Sequence, residues 1–493
     1  MKRKIMILTV TAGEGHNSIS KALRNKLSEN PENQVKVVDL FKKYGGTAKA
    51  SFINDGYIAS CKYAMPIYNT IFKILQNQKP DNRNNSLSQG TVMPETPKLL
   101  QDIYLYEPDI ILCTHFYPAI IITNLRKVYP IPSKVISILP DYTVHPFWEC
   151  AIGVDYLVTP ISNFHEELKY KGYKEEQLKD FGIPVREEFS ILMDKAEARK
   201  TLNLEPNLFT VMVMLGGGGF GGTDKILRKL LKVKEPIQIL MVNGKDKAGK
   251  KRVDTILKQV KTNHVVHNYG FIDFVQTAMA SADVIVGKCG GITVNESLNK
   301  VKPLILNNKL AQQEADNMLF LKENGTALVM DNKNKLENII TDLMHNPEKL
   351  KGLEANIMKI RKPNALRDIC AFAESLEKTP VDSLPDINMG DYQKVRLEIK
   401  KQMRLENKAH AKKKREDRVL KLKEKKLSNA LKSPEKIKKV KEISESEKVL
   451  KEKQQEIKNK RKEIQNINKE ILEQRKIVRK EKLENKKIKK SEK

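Results

Sequence analysis

Short apolar runs recur along the chain and alternate with stretches of helical spacing. In the first half they are Ile5–Val10, Val35–Asp39, Ile110–Cys113, Val135–Leu139 and Tyr156–Thr159. In the second they are Phe209–Leu215, Ile237–Val242, Val265–Tyr269, Val284–Val286, Leu304–Leu306 and Ala327–Val329. A strand that is apolar on both sides must be covered on both faces, which is the situation of a parallel sheet flanked by helices. Each half opens on such a strand followed by glycines. The pattern predicts an α/β protein of two Rossmann-like domains, residues 1–193 and 207–380, with the polar stretch Asp194–Pro206 as the linker between them. Asn77–Gln89 is too polar to pack and reads as a surface loop.

From Val381 onward the pattern breaks. Glycine and aromatic residues nearly vanish and Lys and Glu dominate, so residues 381–493 read as a helical or disordered extension. Ile443, Leu450, Ile457, Ile464, Ile471 and Val478 keep a strict seven-residue spacing that suits a helical seam. The partner positions Ser446, Lys453, Lys460 and Gln474 are polar, so a weak coiled coil and a solvated or disordered segment both stay open. Charge sharpens the division. The 493 residues carry a formal net charge of +29, and residues 391–493 hold 38 basic and 18 acidic side chains, a net of +20. The remaining +9 is that of a mildly basic globular body.

Five scattered cysteines without a Cys-x-x-Cys pair argue against a disulfide framework or a structural zinc site and fit a reducing cytoplasm. The apolar run at the N-terminus leads into Gly13-Glu14-Gly15-His16 rather than a cleavage site, so it reads as a buried strand. No run reaches the roughly 18 to 20 apolar residues that span a bilayer, and membrane contact is expected to be peripheral.

Four segments carry candidate chemistry. Gly13-Glu14-Gly15-His16-Asn17 turns from the first strand into a helix expected from Ser18. A helix start presents amide groups to an anion or a polar substrate, and an imidazole there can take a proton near neutral pH; a plain helix cap is the alternative. Gly216, Gly217 and Gly218 open a run with six glycines between Gly216 and Gly222. Close approach of a phosphate explains such density better than a turn does. No Gly-Lys-Ser/Thr follows, and no acidic residue ends the next strand, which disfavours a P-loop and a nicotinamide site. Gly287-Lys288-Cys289-Gly290-Gly291-Ile292-Thr293 leads into a helix with Glu296 in its first turns. The two carboxylate oxygens match vicinal ribose hydroxyls; a capping glutamate is the alternative. Gln313 and Glu314, with Asn317 behind them, can pair with sugar hydroxyls.

The order of these motifs resembles glycosyltransferase family 28, and within it the diacylglycerol glucosyltransferases and monogalactosyldiacylglycerol synthases. Pro108-Asp109 with Thr114-His115-Phe116-Tyr117-Pro118, Asp141-Tyr142-x-x-His145-Pro146-x-Trp148, and Gly182-Ile183-Pro184-Val185-Arg186 extend the likeness over about residues 4 to 375. The resemblance implies a GT-B fold, two Rossmann-like domains facing a cleft, with lipid in the first and UDP-sugar in the second. It implies inverting displacement without a metal or other cofactor, in keeping with the absence of an Asp-x-Asp motif. It places Gly290, Gly291 and Thr293 near the diphosphate, Glu296 on the ribose, Gln313 and Glu314 on the hexose, with Asn317 nearby, and the backbone of Phe271-Ile272 on the base. His16 or Asp141 is the general base, or the carboxylate orients the imidazole. Gly15, Asn17, Tyr142, His145 and Trp148 fall to the acceptor.

The expected partners are UDP-glucose or UDP-galactose, diacylglycerol and an anionic membrane surface on the cytoplasmic side. The aromatic stretches Tyr57-Ile58 and Tyr63–Leu75 suit a membrane-facing helix pair. Glu14 stands where relatives usually carry glycine; its charge is expected to raise the pKa of His16 or its bulk to crowd the acceptor. Two alternatives remain: transfer of N-acetylglucosamine to a polyprenyl diphosphate lipid, and a nucleic-acid-binding or scaffold role for the basic chain. The second lacks the aromatic–basic interleaving of an RNA module, so no specific nucleic acid is expected.

Overall fold

The computed structural model describes residues 3–11, 14–44, 95–215, 222–307, 312–380 and 392–430. The glycine loop with Gly216, Gly217 and Gly218, Gly13, the stretch 57–75, the polar loop 77–89 and the seam from Ile443 to Val478 lie outside these residues.

Twelve strands form two six-stranded sheets. The first sheet is built from β1 (Arg3–Thr9), β2 (Asn33–Asp39), β3 (Ile110–Cys113), β4 (Lys134–Ile138), β5 (Tyr156–Val158) and β6 (Leu178–Lys179). The second contains β7 (Phe209–Met214), β8 (Ile237–Val242), β9 (Val265–Tyr269), β10 (Val284–Gly287), β11 (Leu304–Asn307) and β12 (Ala327–Met330). The spatial orders are β2-β1-β3-β4-β5-β6 and β12-β11-β10-β7-β8-β9, with every pairing parallel. All eleven expected strands form. The two-residue β6 escapes a hydrophobic reading because only Leu178 of the pair is buried.

Strand order reverses between β1 and β3 in the first lobe and between β7 and β10 in the second. In an open parallel sheet the crevice at such a reversal, beyond the carboxyl ends of the strands, is where ligands sit. The four strand ends lead into His16, Thr114-His115, the glycine loop and Gly290-Gly291. The fold therefore gathers the candidate motifs from both halves into two crevices.

The lobes are not independent bodies joined by a string. One apolar cluster runs from Ile5, Ile19 and Leu23 through Ile183 and Phe189 to Met212, Leu298 and Ile369. The stretch read as a linker contains the helix Lys195–Thr201, capped by Asp194, whose side chain accepts from the Ala196 and Glu197 amides. Its Arg199 is buried and pairs with Asp283 at 2.8 Å, and Lys195 reaches the same carboxylate at 2.7 Å. Polar composition misled here, because the charges are matched internally. The helix Ala365–Ser375 crosses back to the first lobe, where Arg3 donates to the Ala373 carbonyl at 3.4 Å and Asn33 donates to Glu374 at 2.6 Å.

The extension also begins as part of the body. A helix spans Tyr392–Ala430, and its Val395, Ile399 and Met403 are buried in the first lobe's core. Lys127 bonds Glu406 at 2.8 Å, and the Tyr129 hydroxyl donates to Glu398.

Candidate active site

The helix after β1 is Glu14–Leu27, so it starts one turn earlier than expected and carries Gly15, His16 and Asn17 on its first turn. The second lobe packs against this first turn. A Cβ on Gly15 would lie 3.2 Å from the Ile292 side chain of the second lobe, and glycine lets the helix end approach that closely. Asn17 is half-buried, and its carbonyl accepts from Ser20.

His16 Nδ1 lies 2.8 Å from the Thr114 carbonyl at the end of β3. A carbonyl can only accept, so Nδ1 carries the proton and Nε2 holds the lone pair. The ring packs edge-on against His115, with centroids 4.5 Å apart. Burial lowers the pKa of His16, partly offset by the Thr114 carbonyl and the charge of Asp141. Desolvation of the imidazolium outweighs these groups that favour it.

His115 caps the helix Phe116–Leu125 by accepting from the Tyr117 amide at 3.0 Å. Burial, then the nearby His16 and His145, hold its pKa well below the usual value. Phe116 stacks on His145 with centroids 4.8 Å apart. His145 is buried, accepts from the Phe147 amide at 3.2 Å, and is pushed down to about 3 by burial and the Lys171 charge. Trp148 is 1 % exposed and makes edge contact with Phe116. Of the residues assigned to the acceptor, His145 and Trp148 thus form the floor beneath Phe116.

The loop after β4 locks the lobes together. Asn317 is fully buried and donates to the Asp141 carboxylate and the Cys289 carbonyl, both at 2.9 Å, while its own carbonyl accepts from the Tyr142 amide at 2.8 Å. The Tyr142 hydroxyl donates to Asn295 at 3.0 Å, its ring stacks on Phe320, and Asn295 donates to the Ile183 carbonyl. Asn317 and Tyr142, read from sequence as donor and acceptor contacts, are therefore committed to the bracket between lobes. Gly291 belongs to the same contact. A Cβ there would sit 1.9 Å from the Pro140 carbonyl oxygen, so a side chain would force the lobes apart.

Gly290, by contrast, faces open space within 4 Å, and Thr293 is half-buried on the helix Gly291–Asn299. The start of this helix can receive an anion at the mouth of the β7–β10 crevice. Glu296 is buried on the same helix, and its carboxyl is pushed up to about 7 by burial, with Arg186 opposing and Glu188 adding to the rise. Gln313 and Glu314 lie in the first turn of the helix Gln312–Glu323. Burial raises the Glu314 carboxyl, Lys288 opposes this, and Asp141 adds to it, which puts Glu314 near both. Phe271 is 72 % exposed while Ile272 is buried. Among the described residues no group of three or more His, Cys, Asp or Glu side chains is arranged to hold a metal.

Two family models match in tandem. Residues 16–185 match monogalactosyldiacylglycerol (MGDG) synthase, and residues 210–369 match the glycosyltransferase family 28 C-terminal domain. The chain belongs to glycosyltransferase family 28. A processive diacylglycerol beta-glucosyltransferase of Staphylococcus epidermidis is 25 % identical over 371 residues, 75 % of this chain and 91 % of the relative. Its namesake from Staphylococcus aureus is 24 % identical over the same length. The crystal structure of MurG from Acinetobacter baumannii superposes with a TM-score of 0.50 at 12 % identity, over 76 % of this chain and 100 % of that one. The fold is GT-B, as the resemblance implied. Both family models end before the basic extension.

Within this glycosyltransferase, sequence reasoning gave no role to Thr114, His115 and Asn295. Thr114 holds His16, and its hydroxyl bonds Thr9 at 2.9 Å. The signal for the pair was the strand end Cys113-Thr114-His115 at a point of strand reversal. Asn295 left no signal, since an asparagine inside a helix is informative only once its partner across the lobes is known.

Proposed function

We propose that this glycosyltransferase moves a hexose from a UDP-sugar to diacylglycerol at a membrane surface. The observation that supports the reading is His16: its Nδ1 is tied to the Thr114 carbonyl, which leaves the Nε2 lone pair to act as a base beside the β1–β3 strand reversal. The acceptor hydroxyl gives its proton to Nε2 as its oxygen attacks the anomeric carbon. The bond from that carbon to the diphosphate oxygen breaks on the opposite face, the configuration inverts, and UDP leaves with the electron pair. Asp141 stabilises the imidazolium that forms. The departing charge faces the helix start at Gly290 and the nearby Lys288, and no metal takes part in this reading. Glu296 receives the ribose hydroxyls.

The names of the staphylococcal relatives support diacylglycerol as acceptor and glucose as the sugar. The name of the first family model supports galactose as the alternative. No helix among the described residues is long and apolar enough to cross a membrane. The proposed seat is peripheral, on the cytoplasmic face, held there by the net positive charge. Full-length protein incubated with radiolabelled UDP-glucose or UDP-galactose and micellar diacylglycerol should yield label in the extracted lipid, and chelation should not abolish it. Label on a polyprenyl diphosphate acceptor only, or on no lipid, would overturn the reading.

A further inference from the structure

The helix Tyr392–Ala430 opens with a segment, up to Lys408, that packs on the first lobe with two sharply different faces. Val395, Ile399 and Met403 recur every fourth residue and are buried. Both acidic residues between Tyr392 and Lys408 lie toward the body: Glu398 accepts from the Tyr129 hydroxyl and Glu406 pairs with Lys127. At 100° per residue, the opposite face includes Leu397, Lys400, Lys401, Arg404, Leu405 and Lys408. All six are exposed, Leu397 at 65 % and Leu405 at 53 %. At least four cations and two leucines therefore share one outward stripe, and Glu398 at its edge turns its carboxylate to Tyr129 instead.

We propose that this outer face is a lipid-contact surface for an anionic bilayer, built into the lobe that receives the acceptor. The charge pattern selects the occupant. A stripe with basic heads and interspersed leucines is what an interfacial helix lays against acidic headgroups, the cations at the phosphates and the leucines in the acyl boundary. The exposed Leu397 and Leu405 among the cations favour an acyl boundary over a partner bound by charge alone. The consequence is geometric. Membrane contact belongs to the rigid body and fixes how the first lobe meets the bilayer, instead of residing only in the basic residues farther along. Deletion after Pro380 is then no clean removal of a tail, since it also strips Val395, Ile399 and Met403 from the lobe's core.

The inference rests on the peripheral membrane reading, and its test separates the two. Full-length protein is sedimented with vesicles of phosphatidylcholine alone or with phosphatidylglycerol, at low salt and at 0.5 M salt. Three proteins are compared: wild type, the triple variant Lys400→Glu/Lys401→Glu/Arg404→Glu, and the double variant Leu397→Ser/Leu405→Ser. The triple variant should bind anionic vesicles about tenfold or more weakly at low salt, since each basic residue near an acidic leaflet adds to binding. The double variant should lose the binding that survives 0.5 M salt, where screening has removed most of the charge term. Both should keep the wild-type melting temperature and UDP affinity. Variants that sediment like wild type overturn this inference while leaving the peripheral reading standing. Failure of the wild type itself to sediment overturns both. A leucine-dependent dimer in sedimentation velocity, or nucleic-acid binding lost in the triple variant, would assign the face to another occupant and overturn it as well.

Discussion

The two lobes of this glycosyltransferase use the same local device to opposite chemical ends. In each, a central strand runs through glycine into a helix start at a reversal of strand order: β1 into Glu14–Leu27, and β10 into Gly291–Asn299. The two helix starts meet at Gly15 against Ile292, and Gly291 packs on Pro140 of the loop after β4. On the first helix the ionisable group is a histidine in the first turn, half-buried and held neutral by desolvation. On the second it is a carboxyl one turn further in, fully enclosed and raised to about 7. Burial disfavours the charged form in both cases. It makes the imidazole available as a base at neutral pH and leaves the carboxyl only partly ionised near pH 7. On the proposed function, one backbone geometry serves a proton acceptor in one lobe and a hydroxyl receptor in the other, according to side chain and depth.

The comparison breaks most sharply at His16. His16→Ala should slow transfer by roughly 100- to 10,000-fold, the usual range for a general base, with UDP affinity unchanged. Near-normal turnover in this variant would hand the proton to Asp141. Next comes the bracket that keeps the two helix starts in contact. Asn317→Ala removes three hydrogen bonds between buried groups, at a cost of about 1 to 3 kcal/mol for each group left unsatisfied. Thermal unfolding should fall by several degrees and turnover should drop; an unchanged melting temperature would show that the bracket does not hold the lobes. At the other helix start, Glu296→Ala should weaken UDP binding by about 1.5 to 3 kcal/mol, the worth of a hydrogen bond to a charged group. Wild-type affinity by titration calorimetry would remove Glu296 from the ribose.

Proton linkage gives the smallest and most specific test. His16 should lose its base function only below the ordinary histidine value of about 6.5, so the acid limb of kcat/KM belongs below that pH. A limb at or above it would contradict the burial argument. Glu296 has the reverse linkage to stability. The folded carboxyl binds its proton more tightly than the unfolded chain, so its contribution is full below about 4.5 and lost as pH rises through about 7. Ligand-free protein should therefore lose thermal stability between pH 5 and 8 by more than Glu296→Gln does; parallel curves would sink the shift.

What the sequence by itself determined is everything that repeats locally. Buried strands of a parallel sheet are mostly apolar along their length, so Ile110–Cys113 and Ile237–Val242 declared themselves to the residue. Glycines at strand ends marked the crevices, and the collinear motifs marked the family. Tertiary structure decided what each polar residue was for. Asn317 had the chemistry to bind the donor and Tyr142 the acceptor, yet each is enclosed by the other lobe, where an unpaired amide or hydroxyl would be costly. Asp194–Pro206 had the polarity of a linker, but Arg199 and Lys195 find Asp283. Val395, Ile399 and Met403 sat in a lysine-rich stretch that composition assigned to solvent, and only the first lobe's core supplies the surface that buries them. Periodicity records which side of an element is covered; it cannot record by what, because the partner lies hundreds of residues away along the chain.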